Sequence, residues 1–70
     1  MVQVGEIEDY VRTKSCEWLM CASAKGVKLF YCFANRVYIV MPKDSEIPMT
    51  YLVCEDAVNK FNNLVEDYSK

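Results

Sequence analysis

The sequence predicts an α+β fold, in which a small antiparallel sheet of three to four strands is flanked by an N-terminal and a C-terminal helix (α-β-β-β-β-α). Two observations support this prediction. Two apolar runs, residues 27–33 and 36–41, flank a short polar break at 34–36, and an apolar stripe at helical spacing occupies residues 57–68. With 70 residues, of which 53% are hydrophobic and 26% charged, the chain is long enough for a single globular domain spanning residues 1–70.

Both ends of the chain show helical periodicity. In residues 5–14 the side chains at positions i, i+3, i+4 and i+7 form one stripe, which consists of Ile7, Tyr10, Val11 and Lys14. Acids precede bases along this segment, as the helix dipole favours. The second stripe is longer and consists of Ala57, Val58, Phe61, Leu64, Val65 and Tyr68. We expect Phe61 to be the most deeply buried side chain of the domain.

Residues 16–23 fit two interpretations. As a strand, the segment places alternate side chains on one face, namely Cys16, Trp18, Met20 and Ala22. Gly26 would then adopt a positive φ in a tight turn. As a helix, the segment would continue the first helix, and Gly26 would terminate it. The strand is favoured, because a helix would direct Cys16 and Met20 away from its apolar stripe.

The predicted central strands are apolar on both faces. In the first of them the alternating sets are Val27, Leu29, Tyr31 and Phe33 against Lys28, Phe30, Cys32 and Ala34. In the second the sets are Val37, Ile39 and Met41 against Arg36, Tyr38 and Val40. Pro42 ends this strand because it lacks an N–H group, and residues 49–54 form a short fourth strand after a polar loop at 43–48. Two helices cover one face of such a sheet, so we expect the second face to be exposed and to contact another macromolecule.

Charge is unevenly distributed, although the formal net charge is only −2. Residues 1–24 carry −2, residues 25–43 carry +4 without any acid, and residues 44–70 carry −4. Two explanations of this pattern stay open: the acidic flanks neutralise the basic block within the domain, or the basic block faces an acidic partner.

The sequence contains no recognisable catalytic or metal-binding motif. It has no histidine, and its cysteines lack the two closely spaced pairs typical of structural zinc sites (Cys16, Cys21, Cys32 and Cys54). We expect them to be buried, reduced thiols. A helix beginning directly after Cys54 would lower the pKa of its thiol, whereas Glu55 and Asp56 would oppose that change. We therefore predict no enzyme activity, no metal and no cofactor.

The predicted function is non-enzymatic protein binding. The predicted partner-binding residues lie on the exposed side of the central hairpin and are Lys28, Phe30, Arg36, Tyr38 and Lys43. Aromatic residues and arginine contribute strongly to protein interfaces. In size and acidity the chain resembles small phage- or virus-encoded accessory proteins, and we expect an inhibitor, encoded by a phage or other mobile element, that occludes a larger protein partner. The alternatives are a homodimer formed through the same sheet and a module that binds single-stranded nucleic acid, which the pI of about 4.9 disfavours.

The location of the protein is predicted from the apolar runs and the N-terminal residues. No apolar run approaches the roughly 18 residues that a membrane helix requires. Residues 1–9 are acidic and lack a signal-peptide pattern. We therefore expect a cytoplasmic protein, located in the host cytoplasm if a phage encodes it, with reduced thiols and no membrane contact.

Overall fold

The computed structural model describes residues 2–43 and 47–69 and confirms the predicted α-β-β-β-β-α order. Its elements are helix α1 (Val4–Arg12), strands β1 (Trp18–Ala24), β2 (Val27–Cys32), β3 (Val37–Met41) and β4 (Met49–Tyr51), and helix α2 (Cys54–Tyr68). The strands form one antiparallel sheet in the order β1-β2-β3-β4. Each strand therefore pairs with its neighbour in sequence. Of the predicted loop at 43–48, residues 44–46 lie outside the described residues.

The strand interpretation of residues 16–23 is correct, and a tight turn joins β1 to β2. Ala24 pairs with Val27, and the two residues between them have positive φ angles, 54° at Lys25 and 83° at Gly26. Two consecutive positive φ angles define the type I′ turn that matches the twist of a hairpin. A Cβ atom at Gly26 would lie 2.8 Å from Cγ of Lys43, so both the backbone angle and the space favour glycine.

Strand β1 contains a β-bulge at Cys21. Met20 and Ala22 pair with consecutive residues of β2, so Cys21 between them is an extra residue. The bulge reverses the faces of the strand: Met20 and Trp18 lie on one side, whereas Ala22 packs against the core on the other. The predicted placement of Ala22 on the same face as Trp18 is therefore wrong, because simple alternation does not account for an extra residue.

Both helices pack against the same side of the sheet. The buried core joins both helices to β2 and β3 and consists of Ile7, Val27, Leu29, Tyr38, Val40, Cys54, Ala57, Val58 and Phe61. Phe61 is 1% exposed and is the largest of the fully buried side chains, although the smaller Leu29 is 0% exposed. Asn62 of α2 also holds the N-terminal segment: it accepts a hydrogen bond of 3.1 Å from the N–H of Val2 and donates one of 2.9 Å to its carbonyl.

The element ends differ from the predicted ends by at most three residues, and β2, β3 and β4 each share one end with the prediction. Helix α1 ends at Arg12, so Lys14 lies beyond it, with its Nζ 5.2 Å from the centre of the Tyr10 ring. Strand β4 ends at Tyr51, because α2 already begins at Cys54. Neither helix of the described chain has the length and apolar character needed to cross a membrane.

Candidate protein-binding face

The face of the sheet opposite the helices carries exposed apolar side chains, and we call it the open face. Strand pairing fixes its members, which are Trp18, Met20, Ser23, Lys28, Phe30, Cys32, Val37, Ile39, Met41 and Thr50. Cys32 is the buried member, and none of them belongs to the core between the helices and the sheet or to the half-buried side chains packed against it. Trp18 and Met20 are 56% and 50% exposed, and Phe30 is half-buried. The helices therefore cover one face of the sheet and leave an apolar face in contact with solvent.

The centre of the open face is a shallow groove of about 280 Å³. Its lining is entirely apolar and consists of Trp18, Phe30, Ile39, Met41 and Pro48. Small-molecule sites usually enclose about 300–1,000 Å³ and include a few polar groups that orient the ligand. This groove is smaller and has no such groups, so its shape and lining suit apolar side chains of another macromolecule better than a polar small molecule.

The predicted partner-binding residues do not form one cluster. Lys28 and Phe30 both lie on the open face, and Phe30 lines the groove. Arg36 is exposed in the turn between β2 and β3, with a φ of 55°. Lys43 is exposed after β3, and its side chain passes beside Gly26.

The predicted exposure of Tyr38 is wrong. Its side chain is only 8% exposed and belongs to the core on the helix side of the sheet. Its ring centre lies 4.6 Å from that of Tyr31, and it shares a side-chain hydrogen bond with Cys54 of α2. Tyr38 therefore supports the fold from inside and is absent from the open face.

The error at Tyr38 concerns which face of β3 lies beside Phe30. Both faces of β3 are apolar, and the prediction placed Tyr38 on the face of Phe30. In the structure Cys32 lies opposite Val37 and Phe30 lies opposite Ile39, with four residues in the turn. Because side chains alternate along a strand, this pairing places Ile39 and Met41 on the face of Phe30 and Tyr38 on the other face.

Among the side chains that line the groove or pair directly with Phe30, sequence reasoning missed five, which are Trp18, Met20, Ile39, Met41 and Pro48. Alternation had grouped Trp18 with Met20, and Ile39 with Met41. The missing information was which group lies beside Phe30, and that follows only from the pairing of Phe30 with Met20 on one side and Ile39 on the other.

A cluster of thiol and phenol groups lies on the core side of the sheet. Burial, followed by the nearby Cys54 and Cys16, raises the pKa of Cys21 from 9.0 to about 11. Burial also raises the pKa of Cys54, although its hydrogen bond with Tyr38 acts in the opposite direction. Burial and that same hydrogen bond raise the pKa of Tyr38. The predicted activation of Cys54 by the helix N-terminus is thus outweighed by burial, and all three groups are protonated at neutral pH.

This cluster predicts a loss of stability in alkaline solution. The pKa of Cys21 is about 11 in the folded protein against an ordinary value of 9.0, so between these pH values the unfolded chain releases the thiol proton first. The free energy of unfolding should therefore fall as the pH rises through this window. Urea denaturation at a series of pH values measures the slope. Cys21→Ala should flatten the slope more than Cys16→Ala, which removes an exposed thiol and only the smallest of the three contributions to the pKa of Cys21. Equal slopes in all three proteins would contradict the assignment.

All four cysteines are free, and they differ in exposure. Cys32 and Cys54 are buried as expected, Cys21 is half-buried, and Cys16 is exposed, so the prediction of burial is wrong for Cys16. Within residues 2–43 and 47–69, no group of three or more His, Cys, Asp or Glu side chains is arranged to hold a metal ion.

Comparison with known proteins adds no family to these observations: the chain matches no protein-family model, no curated protein and no solved structure.

Proposed function

We propose that this domain is a non-enzymatic protein-binding module that covers part of the surface of a larger protein through its open face. The observation that supports the proposal most directly is the exposure of Trp18 and Met20 beside the apolar groove, on the side of the sheet that neither helix reaches. A domain of this size keeps large apolar side chains in water at a cost, and contiguous apolar surface of this kind is typical of interaction sites.

The composition of the open face resembles the centre of a protein interface. Tryptophan, phenylalanine and methionine are enriched in such centres, while acidic residues are depleted. Trp18, Phe30 and Met41 supply the first group around the groove, and the four strands contain no acid. Trp18 has the largest ring and the highest exposure of the groove aromatics, so we expect it to contribute most to binding.

Affinity capture from a lysate of the source organism tests this proposal with two matched double variants. Trp18→Ser combined with Met20→Ser removes two exposed apolar side chains from the open face. Tyr10→Ser combined with Tyr68→Ser removes two from the helices, where the tyrosines are 40% and 38% exposed. We expect the first variant to reduce recovery of the partner about tenfold or more, because truncating an interface anchor often costs over 2 kcal/mol.

The helix variant is the control for a general loss of apolar surface and should retain the partner. Circular dichroism should show that both double variants keep the fold, since all four positions are exposed. A partner that is retained by the open-face variant but lost by the helix variant would show that the domain binds through its helices, and the proposal would then be wrong.

A further inference from the structure

The open face has a charge pattern that narrows the chemistry of its partner. Lys28 is the only charged residue within the four strands. It lies on the open face, two residues from Phe30 in β2 and opposite Met41 of β3, so it flanks the groove. Lys28 is exposed and forms no ion pair with another described residue. Three further bases, Lys25, Arg36 and Lys43, occupy the turns at the two ends of these strands.

We infer that the open face binds an acidic segment of its protein partner, which places an apolar side chain in the groove and a carboxylate against Lys28. The inference rests on the proposed function and specifies the partner's chemistry. An apolar anchor removes the groove lining from water, while the neighbouring carboxylate pairs with Lys28, which forms no ion pair with another described residue. Interfaces commonly combine a buried apolar anchor with complementary charge at its rim.

Charge also argues against a second copy of this chain as the occupant. Two open faces in contact would bring Lys28 of each copy against strands that contain no acid, so neither lysine gains a partner within the strands. Of the described acids of a second copy, all but Glu17 lie on its helices, which carry seven carboxylates and two bases. Joining the helices of one copy to the open face of the next is a head-to-tail contact, and such contacts extend into open-ended chains unless the rotation closes a ring.

The groove favours a protein segment over single-stranded nucleic acid. Stacked bases retain polar edges that require hydrogen-bond partners or water. The groove lining offers none, because Trp18, Phe30, Ile39, Met41 and Pro48 contribute only apolar atoms to it. An aliphatic or phenyl side chain has no such requirement, so it fits this lining without leaving a polar group unpaired.

Fluorescence of Trp18, the single tryptophan of the chain, provides a direct test because its ring lines the groove. The probes are two short synthetic peptides without Trp or Tyr that share the same Leu and Phe positions. One peptide carries Glu at every other position, and its twin carries Lys there. We expect the acidic peptide to shift the Trp18 emission to shorter wavelength and to bind at least about tenfold more tightly than its twin, with a preference that weakens as salt is added.

Two charge reversals then test the role of Lys28. Lys28→Glu should abolish the preference for the acidic peptide or reverse it. Lys14→Glu changes the net charge by the same amount at an exposed position after α1 and should leave the preference unchanged. If both variants respond alike, only net charge matters and the assignment of Lys28 is wrong.

Other outcomes separate this inference from the proposed function. Equal binding of both peptides, binding of neither, or a stronger response to a short oligothymidylate would overturn the inference. A monomer–dimer equilibrium in sedimentation that Trp18→Ser abolishes would also overturn it and assign the groove to a second copy. If the open-face double variant still loses the cellular partner in any of these cases, the proposed function stands, and only the inference that the partner segment is acidic is wrong.

Discussion

Replacing Phe61 with Ala should destabilise the domain by about 3–5 kcal/mol, the usual cost of removing a buried phenyl ring and leaving a cavity. Phe61 is the largest fully buried side chain, at 1% exposure, and it lies between α2 and the sheet in the core. A domain of this length has a total stability of about 4–10 kcal/mol. The substitution should therefore remove a large share of that stability and lower the urea midpoint measured by circular dichroism.

Tyr68→Ala is the matched control, because it removes an aromatic ring from the same helix at a position that is 38% exposed. We expect it to change the free energy of unfolding by roughly 0.5 kcal/mol, as is usual for surface positions. Phe61→Leu, which keeps most of the apolar volume, should lie between the two. A midpoint for Phe61→Ala no lower than that for Tyr68→Ala would show that α2 does not pack as described.

The element order was predictable from the sequence because the local signals agree with one another. The stripe that contains Phe61 has the period of a helix, and Gly26 supplies the positive φ that the β1–β2 turn requires. Pro42 directly follows the last residue of β3. Each of these signals acts within a few residues of its own position, so none of them depends on tertiary contacts.

The existence of an apolar, uncovered face of the sheet was predictable from the sequence, but only some of its residues were. Both faces of β3 are apolar, so the hydrophobic pattern gave no basis for deciding whether Tyr38 or Ile39 would face the helices. The pairing of Phe30 with Ile39 decided it, and that pairing is known only from the folded sheet. In β1 the bulge at Cys21 had the same effect on Ala22. In both strands, a shift of one residue in the pairing would exchange the side chains that face the core with those that face solvent.

Two consecutive residues of β2 give the strongest test of this two-faced sheet. Leu29 is 0% exposed and belongs to the core, whereas Phe30 is half-buried on the open face and lines the groove. The same substitution at each position should therefore have different consequences. Threonine suits a strand at both sites, so differences in strand propensity contribute little to the comparison.

Leu29→Thr should cost about 3–5 kcal/mol, because it opens a cavity and buries a hydroxyl group among apolar neighbours. Phe30→Thr should cost less, about 1–2 kcal/mol, since the ring is only partly buried and the hydroxyl can be hydrated. For binding, the more damaging of the two substitutions should be Phe30→Thr. The folded Phe30→Thr protein should lose the partner, while the fraction of Leu29→Thr that remains folded should keep it. Urea denaturation and capture by the same partner measure the two effects.

If Phe30→Thr is the more destabilising of the two substitutions, or if it binds as well as the unsubstituted chain, then Leu29 and Phe30 do not lie on a covered and an uncovered side of the sheet.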